Sequence, residues 1–272
     1  MEDLNARAFR MEGRAFFTRM AIYQYDGTPE GLFSAFETAA RAGAVPEGFS
    51  AGAGGALDLF TRTVSVMTDP ALAAAFVRRL QRVDKRLPGE VIRGFLSEMA
   101  GVEVLLYQYA LTLACSGAAA KANRTDPVIE KTQRVLRKVG SETHRLKGLL
   151  RFEELADGLL WASCEPAFNV TPLLVPHFMA RLKHYRWMIC DVRRGTAMYY
   201  DRAKIQAVEL EDHVLASLRT RGQLPGRTAE SDSYVDLWRT FFKSVAIEAR
   251  KNPELQRQCM PQRFWKWLPE KM

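Results

Sequence analysis

Apolar residues recur every three or four positions over most of the chain, which predicts a largely helical protein. A short run rich in strand formers, Ala21–Tyr25, comes first. After it Asp26-Gly27-Thr28-Pro29 reads as a turn, with Thr28 as N-cap and Pro29 at the first helical position. Leu32, Phe33, Phe36 and Ala40 then mark the apolar face of a helix. Residues 70–86 and 88–114 are helical by period, the second carrying Ile92, Phe95, Leu96, Met99, Val102, Leu105, Leu106 and Tyr109. Asp126-Pro127 starts another helix through Val128, Ile129, Val135, Leu136 and Val139.

Beyond that helix the period changes. Phe152–Cys164 and Trp187–Tyr200 carry β-branched and aromatic residues around Asp157-Gly158 and Arg194-Gly195, as hairpins do. An amphipathic helix, Thr171–His184, lies between them, and a helix over Tyr234–Arg250 precedes the closing stretch QRFWKWLPE. No internal repeat is visible. The glycine-rich run SAGAGGA (50–56) lacks a following Gly-Lys-Ser/Thr and reads as a flexible loop. Residues 1–19 hold four arginines and no apolar period, which predicts a flexible extension ahead of one domain over 20–272. The expected class is α+β, predominantly helical, with a small antiparallel β-sheet in the middle of the chain.

Charge sharpens this picture. The net charge is +8, yet the first 100 residues hold 12 basic and 12 acidic side chains, so the whole excess falls later. A one-sided basic balance favours a polyanionic partner, because each cation that meets a phosphate releases a condensed counterion. The four cysteines (Cys115, Cys164, Cys190, Cys259) form no CxxC pair and sit at no zinc-ligand spacing. No metal, iron–sulfur cluster or other cofactor is expected. No apolar run reaches the roughly 18 residues of a membrane span, and no secretory pattern opens the chain, so the expected location is cytoplasmic with no membrane contact.

The candidate chemistry concentrates in SETHRLKGLLRFEEL (141–155) and its approach. On a helix Lys131, Arg134, Lys138 and Arg145 fall near one line, and His144, Lys147 and Arg151 near a second. Such lines could grip successive phosphates, with each arginine offering paired donors. They could equally form a solvated face paired with Glu130 and Glu142. His177 and His184 share a helix face with Arg181 between them, without the HExxH spacing of a zinc site.

Several stretches together resemble a bacterial family described as a probable DNA metabolism protein. They are YQYDGTPEGLFSAF (23–36), GFLSEMAGVEVLLYQY (94–109), KVGSETHRLKGLLRFEEL (138–155), HFMARL (177–182), WMICDVRR (187–194) and the stretch from Tyr234 to Glu270. That family is encoded beside a radical S-adenosylmethionine protein similar to spore photoproduct lyase. Its longer members are fused to a uracil-DNA glycosylase-like domain, and this chain resembles the stand-alone form. The resemblance implies a DNA-binding accessory protein in DNA repair or modification, with DNA and the radical enzyme as partners. A second class is an enzyme acting on DNA or a nucleotide, with Glu142, His144, His177 and Asp191 as catalytic candidates. In either case Lys138, Arg145, Lys147, Arg151, Arg181 and Arg194 are the candidate phosphate contacts. A third class is a protein–protein scaffold whose basic face meets an acidic surface. Phe152, Trp161, Trp187, Tyr199 and Tyr200 flank the basic strip and read either as stacking platforms or as sheet residues. Trp238, Phe241, Phe242 and Trp265 read as core.

The absence of apolar period before Met20 generates a direct expectation. A chain beginning at Met20 should keep the thermal midpoint of the full chain; a large drop in a thermal melt would show the arginine-rich segment docked into the fold.

Overall fold

The computed structural model describes residues 21–43, 46–52, 62–221, 236–241, 244 and 252–271. The chain divides into two units, Met1–Val139 and Gly140–Met272, and among the described residues it is α+β and mostly helical. The expected extension over 1–19 lies outside the described residues.

In the N-terminal unit, strand β1 (Ile22–Tyr25) leads into helix α1 (Pro29–Arg41). The Thr28 hydroxyl accepts from the Gly31 N–H at 2.9 Å, and Pro29 occupies the first turn, where its missing donor costs nothing. Strands β2 (Gly48–Ala51) and β3 (Thr63–Ser65) pair in parallel with β1 on either side, giving the order β2-β1-β3. A parallel pair needs a crossover, and α1 supplies it between β1 and β2. Phe36 anchors the core, with ring contacts to Phe49 at 4.8 Å, Tyr107 at 5.3 Å and Phe76 at 5.6 Å.

Helix α2 (Pro70–Val83) is capped by Asp69, which accepts from the Ala71 N–H at 2.7 Å. The helical period over 88–114 resolves into two helices, α3 (Leu87–Phe95) and α4 (Val102–Ser116). The break falls where Glu98 and Gly101 take positive φ of 51° and 72°, a conformation that glycine adopts without cost and that ends a right-handed helix. Gly94 on α3 faces Leu106 on α4 so closely that an added Cβ would lie 2.5 Å from a leucine methyl. Helix α5 (Pro127–Leu149) starts with Asp126 accepting from the Val128 and Ile129 N–H groups. It continues well past Val139.

The C-terminal unit holds a five-stranded sheet in the order β4-β5-β6-β7-β8. The strands are β4 (Glu153–Glu154), β5 (Leu160–Cys164), β6 (Trp187–Asp191), β7 (Thr196–Tyr200) and β8 (Ile205–Glu209). Both hairpins form where the turn residues predict them, with Gly158 and Gly195 at φ of 76° and 69°. All pairs are antiparallel except β5–β6, which is parallel because helix α6 (Thr171–Arg181) crosses between those strands. Trp187 is fully buried at the sheet's centre, 5.3 Å from Tyr200 and 6.4 Å from Phe178. Helices α7 (Asp212–Arg221) and α8 (Pro253–Cys259) and 3-10 turns over Gln262–Trp267 and Pro269–Lys271 complete it. Of the helix expected over Tyr234–Arg250, residues 236–241 and 244 are described and helical.

The expected core position of Trp238 is corrected. Its ring is 38% exposed, its indole N–H donates to Glu270 Oε2 at 3.0 Å, and the Arg151 guanidinium lies 5.3 Å from the ring centroid. Phe241 is also exposed, Trp265 is half-buried, and Phe242 lies outside the described residues. Truncating an exposed ring forfeits one hydrogen bond and one cation–π contact rather than a packed volume. Trp238→Ala should therefore cost about 1–2 kcal/mol, against about 3–5 kcal/mol for Trp187→Ala. Urea denaturation of the two variants checks the order, which would reverse if Trp238 were the core residue.

Candidate functional site

The last turns of α5 and the residues around β5 and β6 bring the candidate side chains into two groups with opposite characters. In the first group the charges are engaged by the fold itself. Glu142 is buried to 1% exposure, because it falls on the same α5 face as Val139 and Leu146. Its Oε1 accepts from the Ala167 N–H at 3.0 Å and from Arg263 Nη2 at 2.6 Å, and its Oε2 accepts from the Phe168 N–H at 2.9 Å. Three donors on one carboxylate replace the water it has lost.

Asp191 ends β6 with no exposed surface. It accepts from the Arg193 and Arg194 N–H groups and, at 2.8 Å, from Arg194 Nη1. Burial pushes its carboxyl above the ordinary aspartate value, against the pull of those Arg194 and Arg193 contacts. Arg194 also donates to the carbonyls of Pro166 and Ala167, each at 3.2 Å. Glu142 and Asp191 thus hold the same loop, 166–168, one through its N–H groups and the other through Arg194. Cys164 and Cys190 lie beside them, fully buried, and burial raises both thiols well above the ordinary value.

Arg151 is likewise engaged. One nitrogen meets Glu270 at 2.7 Å, and the other donates to the Gly148 and Leu150 carbonyls at the end of α5. Burial alone would raise the Glu270 carboxyl, but the hydrogen bonds and charge of Arg151 and the Trp238 indole hold it below its ordinary value.

The second group lacks such partners. His177, on α6, packs its ring 4.8 Å from Phe178, and its Nε2 is buried without a hydrogen bond. Burial first, then the positive charges of Lys147 and Arg181, push its imidazole below the ordinary value of 6.5. Those two cations come from different helices, Lys147 half-buried on α5 and Arg181 exposed at the end of α6. Neither makes an ion pair among the described residues, nor does half-buried Arg145. His144 is exposed on α5. Lys138, also exposed, belongs to the N-terminal unit. Of the flanking aromatics, Trp187 and Tyr200 are buried in the sheet, and Phe152, Trp161 and Tyr199 are half-buried.

Sequence reasoning missed Arg263 and Glu270, which complete the Glu142 and Arg151 pairs from 121 and 119 residues away. Nothing in local period or spacing marks them. Among the described residues no group of three His, Cys, Asp or Glu side chains is arranged to hold a metal ion. No helix among them is long and apolar enough to cross a membrane.

Replacing Glu142 by Gln removes the charge and sets amide hydrogens against donors. The expected cost is about 2–4 kcal/mol, below the range for a fully buried pair because Arg263 keeps access to water. Urea denaturation measures it, and an unchanged midpoint would show that this carboxylate does not hold the unit together.

A family model for a domain of unknown function, DUF4130, matches residues 100–270, which include every candidate residue named above. No curated protein and no solved structure matches. The match spans well over half of the chain, and the protein belongs to this family of DUF4130 domains.

Proposed function

We propose that the C-terminal unit presents a phosphate-binding surface formed by Lys147, Arg181 and His177, with Arg145 adding charge, and that the protein is a DNA-binding accessory factor in DNA repair or modification. The observation that carries this reading is that two cations from different helices, Lys147 and Arg181, both act on His177, whose Nε2 is buried without a hydrogen bond, while neither cation makes an ion pair among the described residues. Keeping like charges together is unfavourable for the free fold, and an anion relieves it. In this reading Lys147 and Arg181 neutralise a backbone phosphate, and His177 donates to it once protonated. Arg151 and Arg194 support the surface from beneath without touching the ligand. The radical S-adenosylmethionine protein implied by the family resemblance is the proposed partner that performs the chemistry.

The test is a duplex DNA titration of the parent and of Lys147→Ala/Arg181→Ala over a salt series. The variant should melt like the parent and bind more weakly, with a salt slope shallower by about two units. Unchanged binding and slope would refute the site. Binding by the parent only when the radical partner is present would favour the scaffold reading instead.

His177 adds a pH signature. Its value in the folded chain lies below 6.5, so the unfolded chain takes up the proton first. Its contribution to stability is therefore present above 6.5 and declines as pH falls through 6.5 toward the folded value. A bound phosphate favours the imidazolium, so DNA affinity should rise as pH falls from neutrality toward that value. His177→Asn should remove both dependences in melts and titrations followed against pH; a parent-like pH profile in the variant would exclude His177 from the surface.

A further inference from the structure

The N-terminal unit is charge-balanced over its first 100 residues, yet its cations are unevenly engaged. Arg41 and Arg79 both pair with the fully buried Glu37, at 2.8 and 2.9 Å. Lys121 takes Asp84 at 2.5 Å and Glu90 at 2.8 Å. These contacts occupy Glu37, Asp84 and Glu90. On the outer face of α2 and just past its end, Arg78, Gln81, Arg82 and Lys85 are all exposed and line an open groove of about 510 Å³. None of the four makes a side-chain hydrogen bond or ion pair among the described residues.

From this strip we infer that Arg78, Arg82 and Lys85 form a second contact for the sugar–phosphate backbone of DNA, separate from the Lys147–Arg181 surface. The identity of the partner rests on the reading given above; the location does not.

Two of the three cations share helical spacing. Residues four apart on a helix stand about 5–6 Å from each other at Cβ, and Arg78 and Arg82 are so related; Lys85 follows the extended Asp84 beyond the helix end and lines the same groove. The helix dipole accounts for a cation in the last turn, where Arg82 sits, but its effect fades within that turn and does not reach Arg78. Packing does not require the strip either, since the buried face of α2 is Ala73, Phe76 and Leu80. What remains is three cations and one neutral amide lining an open concavity. Guanidinium forks suit phosphate oxygens, and the Gln81 amide can donate to a phosphate or sugar oxygen without adding charge. An acidic polypeptide or an anionic lipid surface would meet the same charges. Three cations and a neutral amide lining one open groove, with no carboxylate among the lining residues, favour a polymer of repeated phosphates.

The experiment compares the full-length parent, Arg78→Ala/Arg82→Ala/Lys85→Ala, Arg78→Lys/Arg82→Lys and Lys147→Ala/Arg181→Ala. Each is titrated with a short DNA duplex over a salt series and melted to confirm folding. The triple variant should melt like the parent, bind DNA more weakly and show a salt slope shallower by about two to three units. The Lys-for-Arg variant should keep the slope, because the charge is retained. Gln81→Ala should weaken binding without changing the slope. If the triple variant binds with unchanged affinity and slope, or loses affinity with no change in slope, the inference fails. It also fails if only binding to polyglutamate or to phosphatidylserine vesicles is lost. A weakened triple variant beside an unaffected Lys147→Ala/Arg181→Ala would leave this contact standing and overturn the site in the C-terminal unit. A parent that binds no DNA overturns both.

Discussion

Taking a carboxylate out of water costs several kcal/mol unless donors replace the solvent, and the C-terminal unit is organised around one place where they do. Glu142 on α5 draws the N–H groups of Ala167 and Phe168 onto one side and Arg263 onto the other. Those contacts tie together the end of the long helix, the loop leaving β5 and the closing 3-10 turn. The loop feeds α6, which begins at Thr171, and α6 carries His177 and Arg181. Lys147 lies five residues beyond Glu142 on the same helix. The placement of Lys147 relative to His177 and Arg181 thus depends on a buried carboxylate whose acceptors are taken up by the chain itself. Asp191 and Arg194 brace the loop a second time through the carbonyls of residues 166 and 167. The site is a by-product of how the loop is held.

The division of labour among the cations follows from their chemistry. A guanidinium presents several donors in a fixed plane and can satisfy a carboxylate and backbone carbonyls at once. Arg194 does this around Asp191 and residues 166–167, and Arg151 does it around Glu270 and the last carbonyls of α5. Both therefore hold structure together. A lysine ammonium satisfies fewer directions, and the Lys147 side chain makes no hydrogen bond or ion pair among the described residues. Arg181 is exposed at the end of α6. Charges left over after the fold's own needs are met are the ones available to another molecule.

Much of the fold was legible because it rests on local signals. The Thr28–Pro29 and Asp126–Pro127 starts, the Asp157-Gly158 and Arg194-Gly195 turns, and the crossover helix between β5 and β6 all obey short-range rules. β2 and β3 were not legible: they are four and three residues long, lack apolar alternation, and form only by lying alongside β1. The break at Glu98–Gly101 hides inside an unbroken apolar period, because both flanking helices bury the same kind of face. The candidate site was legible in composition but not in geometry. Spacing placed Arg151 with His144 and Lys147 on one line, but whether a charge on that line faces water or a carboxylate depended on Glu270 and Arg263, which no local rule links to it. Trp238 misled for the opposite reason, since its size suggested burial while its polar edge had a partner at the surface.

One arrangement recurs in both units and bears on where a ligand can bind. In open sheets with parallel strands, ligands commonly settle beyond the carboxyl ends of the strands. Here two of those ends, after β1 and at β6, carry carboxylates already bound by the chain. After β1, Asp26 accepts from the Thr28 N–H and hydroxyl at 2.9 and 2.7 Å and from the Thr68 hydroxyl at 2.5 Å. These contacts, Thr68 foremost, hold its carboxyl below the ordinary aspartate value. Gly31 completes the cluster, for an added Cβ would lie 2.1 Å from Asp26 Oδ1. After β6, Asp191 is closed over by Arg194. At these two strand ends the carboxylate is matched by the chain, and its negative charge would repel an anion. Exposed cations with no ion pair among the described residues lie elsewhere, Arg78, Arg82 and Lys85 on α2 and just past its end, and Arg181 at the end of α6. A strand end whose carboxylate is already satisfied leaves an added ligand little to gain there, so under the phosphate-binding proposal the contacts fall to the helix faces instead.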